Sequence, residues 1–139
     1  MKTHFFKICF LQIFFSIGCF STTLNICTNS KKDEISPEER LHHVVLCWLK
    51  EPGNKIDREK IIEVTSKFCE IPCVIHATAG EVVMSDREIV DDSFDVGILI
   101  VTKDQADLQK YLVHPIHQKA KKEVLLPLVK KVLVYDFLE

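Results

Sequence analysis

The densest group of side chains that could do chemistry lies around Pro115, where Tyr111, His114 and His117 occur within seven residues. An imidazole has a pKa of about 6.5 and exchanges protons near neutrality, whereas a phenol, with a pKa of about 10, serves as a donor. Because the proline interrupts a helix, Tyr111 and His117 can both point into a cavity between helix and sheet. The spacing predicts proton abstraction next to a carbonyl, with His117 as base and Tyr111 as its hydroxyl partner.

The same residues also fit a purely structural role. His114 would then cap the interrupted helix, and His117 would satisfy a buried backbone group. If the cavity binds a small apolar or carbonyl ligand, we expect its wall to include residues from two strands and from the helix break. The expected lining residues are His43, Val45, Cys47, Ile98 and His114.

Neither a metal nor a cofactor is expected. The chain has no helical His-Glu-x-x-His, and Cys69 and Cys73 lie four apart without a second cysteine pair at zinc-ribbon spacing. A nucleotide-phosphate role would need a glycine-rich loop, which is missing. Cys69 and Cys73 could instead form a disulfide, although small buried side chains are the alternative for Cys47 and Cys69. Cys73 is the residue to test for a free thiol.

Composition excludes two broad classes of protein. The 139 residues carry 18 Lys and Arg against 20 Asp and Glu, a net charge of −2, and 47% of them are hydrophobic. A near-neutral chain lacks the basic excess that nucleic-acid binding usually requires. A chain this apolar has enough material for a core and is not a disordered, solvating chain. The composition therefore predicts a globular domain that binds no nucleic acid.

The N-terminal residues have a different character from the rest. Lys2 and Lys7 precede an apolar run that is too short to span a membrane and ends in small residues, as in a secretory signal peptide. Ser16-Ile17-Gly18-Cys19 also resembles a bacterial lipobox. We expect residues 1–18 to be an export signal and residues 19–40 a polar tether, with lipid on Cys19 as one outcome. The protein would then be periplasmic or a membrane-anchored lipoprotein in a bacterium.

From residue 41 onward the pattern is regular. Asp57 is expected to cap a helix over residues 57–69, and Asp104 to open a second helix that Pro115 interrupts and residues 116–126 resume. The predicted strands cover residues 42–49, 74–84, 94–102 and 131–138. The order β-α-β-β-α-β over residues 41–139 is the split βαβ plan, which predicts an α+β, ferredoxin-like sandwich.

The strands are apolar on both faces. In the first strand His43, Val45 and Cys47 share one face, while Val44, Leu46 and Trp48 share the other. Two helices cover only one face of a four-stranded sheet, and the other would expose more apolar area than a monomer tolerates. A second copy of the chain is the simplest cover, so we expect a homodimer packed sheet to sheet.

Four segments carry a resemblance to a known family: KYLVHPIHQ, HHVVLCWLK, Glu70-Ile71-Pro72 and Val134-Tyr135-Asp136-Phe137. Together they resemble the stress-responsive α/β-barrel (Dabb) family over residues 41–138, and the tyrosine followed by His-Pro-x-His is the most specific element. The resemblance implies a ferredoxin-like subunit whose sheets pair into a dimeric α/β barrel.

The resemblance also implies roles for three residues. The family includes a plant polyketide cyclase with a similar motif, whose catalytic base corresponds to His117 and whose supporting tyrosine corresponds to Tyr111. His43 corresponds to a pocket histidine on the first strand. Two functions therefore stay open: a dimeric binding or stress-related protein with a small-molecule pocket, and a cofactor-free acid/base enzyme, cyclase-like or isomerase-like, that acts on a carbonyl compound.

Overall fold

The fold is known from a computed structural model that describes residues 39–139. The predicted export signal and almost all of the predicted tether, Cys19 included, lie outside these residues. Within residues 39–139, no helix has the length and apolar character needed to cross a membrane.

The described residues form one antiparallel sheet with helices on one side. The sheet has the order β2-β3-β1-β4 and consists of β1 (Leu41–Leu49), β2 (Val74–Glu81), β3 (Val96–Thr102) and β4 (Val129–Leu138). The helices are α1 (Lys55–Ser66), which ends in a 3-10 turn (Lys67–Glu70), α2 (Gln105–Val113) and α3 (Pro115–Ala120). After α3 the chain continues through a π-helical turn (Lys121–Leu125) and a last helical turn (Leu126–Leu128). This is the ferredoxin-like arrangement that the sequence predicts.

The cap of α1 lies three residues earlier than predicted. Asn54, not Asp57, is the N-cap, and its side-chain oxygen accepts the backbone N–H of Asp57 at 3.2 Å. Gly53, with φ of 76°, turns the chain into this position without a steric penalty, which lets the helix begin at Lys55. At α2 the prediction is confirmed, because Asp104 caps the helix by accepting the N–H of Asp107 at 2.8 Å.

The loop between β2 and β3 is longer than predicted, because β2 ends at Glu81 and not at Met84, and β3 begins at Val96 and not at Phe94. Asp95 is the last residue of this loop. Its carboxylate accepts the backbone N–H of Leu49 at 2.8 Å and that of Gly53 at 2.7 Å. The side chain thereby joins the start of β3 to the turn that follows β1. Phe94, just before it, lies against Gly97, where an added Cβ would meet its ring at 3.5 Å.

The two faces of the sheet have different surroundings. The face toward the helices contributes Cys47, Leu49 and Ile100 to the buried core, together with Ile61 and Phe68 from the helical side. On the opposite face, Tyr135 is 54% exposed and Phe137 52% exposed. The predicted alternation is therefore correct, and no element within residues 39–139 covers the second face.

The cysteines do not form the disulfide that their spacing allows. Cys47 and Cys73 are both free, so no bridge joins Cys69 to Cys73. Cys47 lies in the core, and burial raises the pKa of its thiol to about 11, which keeps it protonated and unreactive.

Candidate functional site

A cavity of about 430 Å³ lies between the helix-facing side of the sheet and the segment that runs from α2 to β4. Its polar lining consists of His43, Tyr111 and His117, and three lysines, Lys121, Lys130 and Lys131, complete it on the side of the π-helical turn and β4. The remaining lining side chains are apolar: Val45, Phe68, Ile98, Leu112, Leu125, Leu126, Val129, Val132 and Val134. A mostly apolar wall with a few converging polar groups is the usual character of a small-molecule site.

The helix break brings Tyr111 and His117 together. His114 is extended, with ψ of 139°, so α2 ends before Pro115 begins α3. The ring centroids of Tyr111 and His117 are 4.5 Å apart, and both rings contact the edge or face of Phe68. Both residues are buried, so their positions are fixed by packing as well as by the backbone.

His117 is held in one tautomer. Its Nδ1 lies 2.9 Å from the backbone carbonyl oxygen of Leu112, which can only accept, so Nδ1 carries the hydrogen and donates. The lone pair of the neutral ring is therefore on Nε2. Burial lowers the pKa of His117 below its ordinary value; the charges of Lys121 and His43 act in the same direction, and the bond to Leu112 opposes them. The ring is thus neutral at neutral pH, with Nε2 ready to accept a proton.

Tyr111 has the complementary protonation state. Burial raises the pKa of its hydroxyl above the ordinary value, so the phenol keeps its proton across the physiological range. The pair therefore offers one acceptor and one donor to whatever occupies the cavity.

His43 has a carboxylate partner that sequence reasoning missed. Its Nδ1 donates to Oδ1 of Asp136 at 2.6 Å, and the two residues are direct partners across β1 and β4. The signal was present in the alternation of β4, since Asp136 shares the face of Val132 and Val134. What the sequence does not contain is the register that places it opposite His43.

The structure brings together some of the residues expected to line the pocket and not others. His43, Val45 and Ile98 line the cavity with Tyr111 and His117. Cys47 is not part of the lining, because it is packed within the core and only 1% exposed. His114 is not part of it either.

The side chain of His114 caps α3 instead. Its Nδ1 accepts the backbone N–H of Ile116 at 3.3 Å, which is the structural role that the sequence left open for it.

The other histidines do not converge on a metal. His42 lies on the face of the sheet away from the helices, where it contacts Glu139 at 2.8 Å and stacks on Phe137. Within residues 39–139, no group of three histidine, cysteine or acidic side chains is arranged to hold a metal ion.

Solved structures with similar folds come from several organisms. A Dabb family protein with a ferredoxin-like fold from Mesorhizobium loti is 21% identical (TM-score 0.58), and the match covers 71% of this chain and 95% of that one. A hydroxynitrile lyase from Passiflora edulis is 20% identical (TM-score 0.63), with 74% and 95% covered. A dimeric ferredoxin-like protein of unknown function from Jannaschia is 25% identical (TM-score 0.55), with 70% and 97% covered.

These likenesses establish the fold. The search of curated proteins finds no significant match. The family model described as the Stress responsive A/B Barrel Domain matches residues 41–139, which is the whole of the described fold apart from its first two residues. The Tyr111 and His-Pro-x-His segment and the antiparallel sheet thus occur together in one matched region, and the chain belongs to the Dabb family.

Proposed function

We propose that the cavity binds a small carbonyl compound and that the protein transfers a proton on it without a cofactor. The observation that carries this proposal is the tautomer of His117: its Nδ1–H is used by Leu112, and its Nε2 is left as an acceptor in a cavity that Tyr111 also lines. A neutral imidazole beside a protonated phenol is suited to general acid/base catalysis.

The proposed step is proton abstraction next to the carbonyl. Nε2 of His117 takes a proton from the carbon adjacent to the carbonyl, and the electron pair of the broken C–H bond forms an enolate. The hydroxyl of Tyr111 donates to the enolate oxygen, where the negative charge develops. The proton on Nε2 then returns to the rearranged or condensed product, so the ring is neutral again. His43, fixed by Asp136, supplies a second imidazole to the same cavity.

The functional unit that we propose is a homodimer. The face of the sheet away from the helices is apolar and half-exposed at Val44, Leu46 and Leu99, and more open at Tyr135 and Phe137. A patch of this kind is typical of an interface. The dimeric relative from Jannaschia supports a second copy of the chain as the partner, with the two sheets packed face to face into an α/β barrel.

The experiment that tests the reaction distinguishes the structural role of Nδ1 of His117 from the proposed catalytic role of its Nε2. The amide N–H of an asparagine can replace Nδ1–H as the donor to Leu112, but asparagine has no basic nitrogen in place of Nε2. We expect His117→Asn to fold, to bind carbonyl compounds, and to lose turnover by roughly 10²-fold or more on any substrate found by screening. His117→Ala should lose stability as well, and Tyr111→Phe should retain the fold with reduced turnover. Full activity in His117→Asn would contradict the role of the base.

A binding function without turnover is the second candidate. It is favoured by the structural use of the same ring, since His117 packs on Phe68 and satisfies the carbonyl of Leu112. In that case His117→Asn and wild type should bind the same ligands with equal affinity, and no carbonyl compound that binds should exchange its α-protons with solvent deuterium faster than it does in buffer.

Export is a further proposal, made from the sequence alone. We propose that residues 1–18 direct secretion and that Cys19 becomes the first residue, with lipid on its sulfur. Mass spectrometry of the protein from a bacterial membrane fraction should then find an acylated N-terminal Cys19, and Cys19→Ser should release the protein from the membrane. An unprocessed Met1 would contradict both parts.

A further inference from the structure

Two lysines of the cavity have no counter-ion among the described residues. Lys121 and Lys130 are exposed and line the cavity, yet neither is within ion-pair distance of any carboxylate in residues 39–139. The third lysine, Lys131, is already engaged, because its Nζ lies 3.9 Å above the ring of Trp48. As far as residues 39–139 are concerned, the cavity therefore has two positive charges in its wall without a carboxylate partner.

Both lysines occupy irregular positions in the backbone. Lys121 begins the π-helical turn that interrupts the helix after Ala120. Lys130 lies at a bulge in β4, because the pairing with β1 passes from Leu49 and Val129 directly to Trp48 and Lys131. π-Helical turns and β-bulges are each found preferentially at functional sites, where a bulge can redirect a side chain. Here one of each borders the same cavity.

The charged and the apolar parts of the cavity wall lie in different places. The positive charge of Lys121 acts on His117, because it contributes to lowering the pKa of that ring. The lysines themselves are exposed, whereas His43, Tyr111 and His117 are buried among apolar side chains. A ligand that satisfied both regions would have a negative head near the lysines and an apolar body beside Phe68 and Leu112.

We propose that the ligand of this cavity is an amphipathic carboxylate, with its head between Lys121 and Lys130 and its apolar body in the cavity. This inference rests on the proposed function, because it names the chemical class of the small molecule that the cavity is proposed to bind. The volume, about 430 Å³, is in the lower part of the range of roughly 300–1,000 Å³ of ordinary ligand pockets. A cavity of this volume suits a ligand whose apolar chain is of medium length.

The test uses three probes that share one chain and differ in charge: octanoate, 1-octanol and octylammonium. The binding of each probe should be compared between wild type, the double variant Lys121→Gln/Lys130→Gln and the single variant Lys122→Gln. Calorimetry gives the affinities, and an NMR titration follows the His117 ring. Lys122 is an exposed neighbour in the same π-helical turn that does not line the cavity, so its variant controls for loss of general positive charge.

For wild type and Lys122→Gln we expect octanoate to bind more tightly than 1-octanol, and octylammonium most weakly. Removing both lysines together should weaken octanoate by roughly tenfold, about threefold for each partly exposed charge, and leave 1-octanol unchanged. Octanoate, but not 1-octanol, should raise the pKa of His117, because a nearby anion favours the charged ring.

The failures of the two proposals are distinguishable. If octanoate and 1-octanol bind equally, and the double variant binds both like wild type, the carboxylate inference is wrong while a ligand-binding cavity stands. If none of the three probes shifts the NMR signals of the His117 ring or gives a heat of binding in calorimetry, both the inference and the proposed ligand site are wrong.

Discussion

At the scale of single residues, His117 uses its two ring nitrogens for different purposes. Nδ1 serves the fold by donating to Leu112, and this use leaves Nε2 available for a ligand. The structural and the chemical interpretations of the sequence are therefore not exclusive. His114 differs, because its side chain is used for the cap of α3.

The lowered pKa of His117 predicts how stability changes with pH. The unfolded chain, with an ordinary pKa of 6.5, binds the extra proton before the folded one does as the pH falls. Protonation of His117 therefore has no effect on stability well above pH 6.5, and it destabilises the fold increasingly as the pH falls from about 6.5 through the folded-state pKa.

Denaturant unfolding at about pH 7.5, 6.5 and 5.5 measures this effect. Between the first and last pH, wild type should lose more unfolding free energy than His117→Asn, because the variant has no group to protonate at this position. Equal losses in the two proteins would show that the pKa of His117 is not lowered by folding. In wild type, turnover should also be retained somewhat below pH 6.5, since the ring stays neutral there.

At the scale of elements, alternation and capping predicted most of the fold. The strands, their two faces, the cap at Asp104 and the break at Pro115 all follow from local patterns. The cap at Asn54, the bulge at Lys130 and the π-helical turn do not, because each depends on how neighbouring segments fit together. The pairing of His43 with Asp136 is of the same kind, since it requires the register of two strands far apart in sequence.

Among the residues that join elements of the fold, Asp95 is the one whose substitution we expect to lower the unfolding free energy most. It is 7% exposed and accepts two backbone N–H groups, one from the end of β1 and one from Gly53. Asp95→Ala leaves both groups without this acceptor and should lower the unfolding free energy by about 2–4 kcal/mol.

Asp95→Asn keeps one acceptor oxygen and should cost less, while the exposed Asp86→Ala is the control and should be nearly neutral. Thermal or denaturant unfolding gives all three values. A loss of less than about 0.5 kcal/mol in Asp95→Ala would mean that water replaces the carboxylate without penalty.

At the scale of the whole molecule, the uncovered face of the sheet determines the expected assembly. Val44, Leu99 and Tyr135 are neighbours across three strands at the centre of this face. Leu99→Glu would bury a charge in a sheet-to-sheet interface, so we expect it to shift the dimer to monomer by at least roughly tenfold in dissociation constant.

Val113→Glu is the matched control, since Val113 is 71% exposed on α2, on the helical side of the sheet. Light scattering at micromolar concentration should show a dimer for wild type and for the control. A monomeric wild type with intact circular dichroism would contradict the dimer, and a dimeric Leu99→Glu would place the interface elsewhere.

The π-helical turn also determines which insertions and deletions the protein tolerates. A turn of this kind accommodates one residue more than an α-helix would need, while the flanking segments keep nearly the same relative rotation. One further residue inserted with α-helical geometry would rotate these segments by about 100° relative to each other. His117 lies before the turn, and Leu126 and Val129 lie after it, yet all three line one cavity. A one-residue insertion should therefore be accepted in the loop over residues 82–95 and rejected over residues 121–125, whereas a one-residue deletion within 121–125, which lets the turn close to α-helical geometry, should be tolerated better than the insertion.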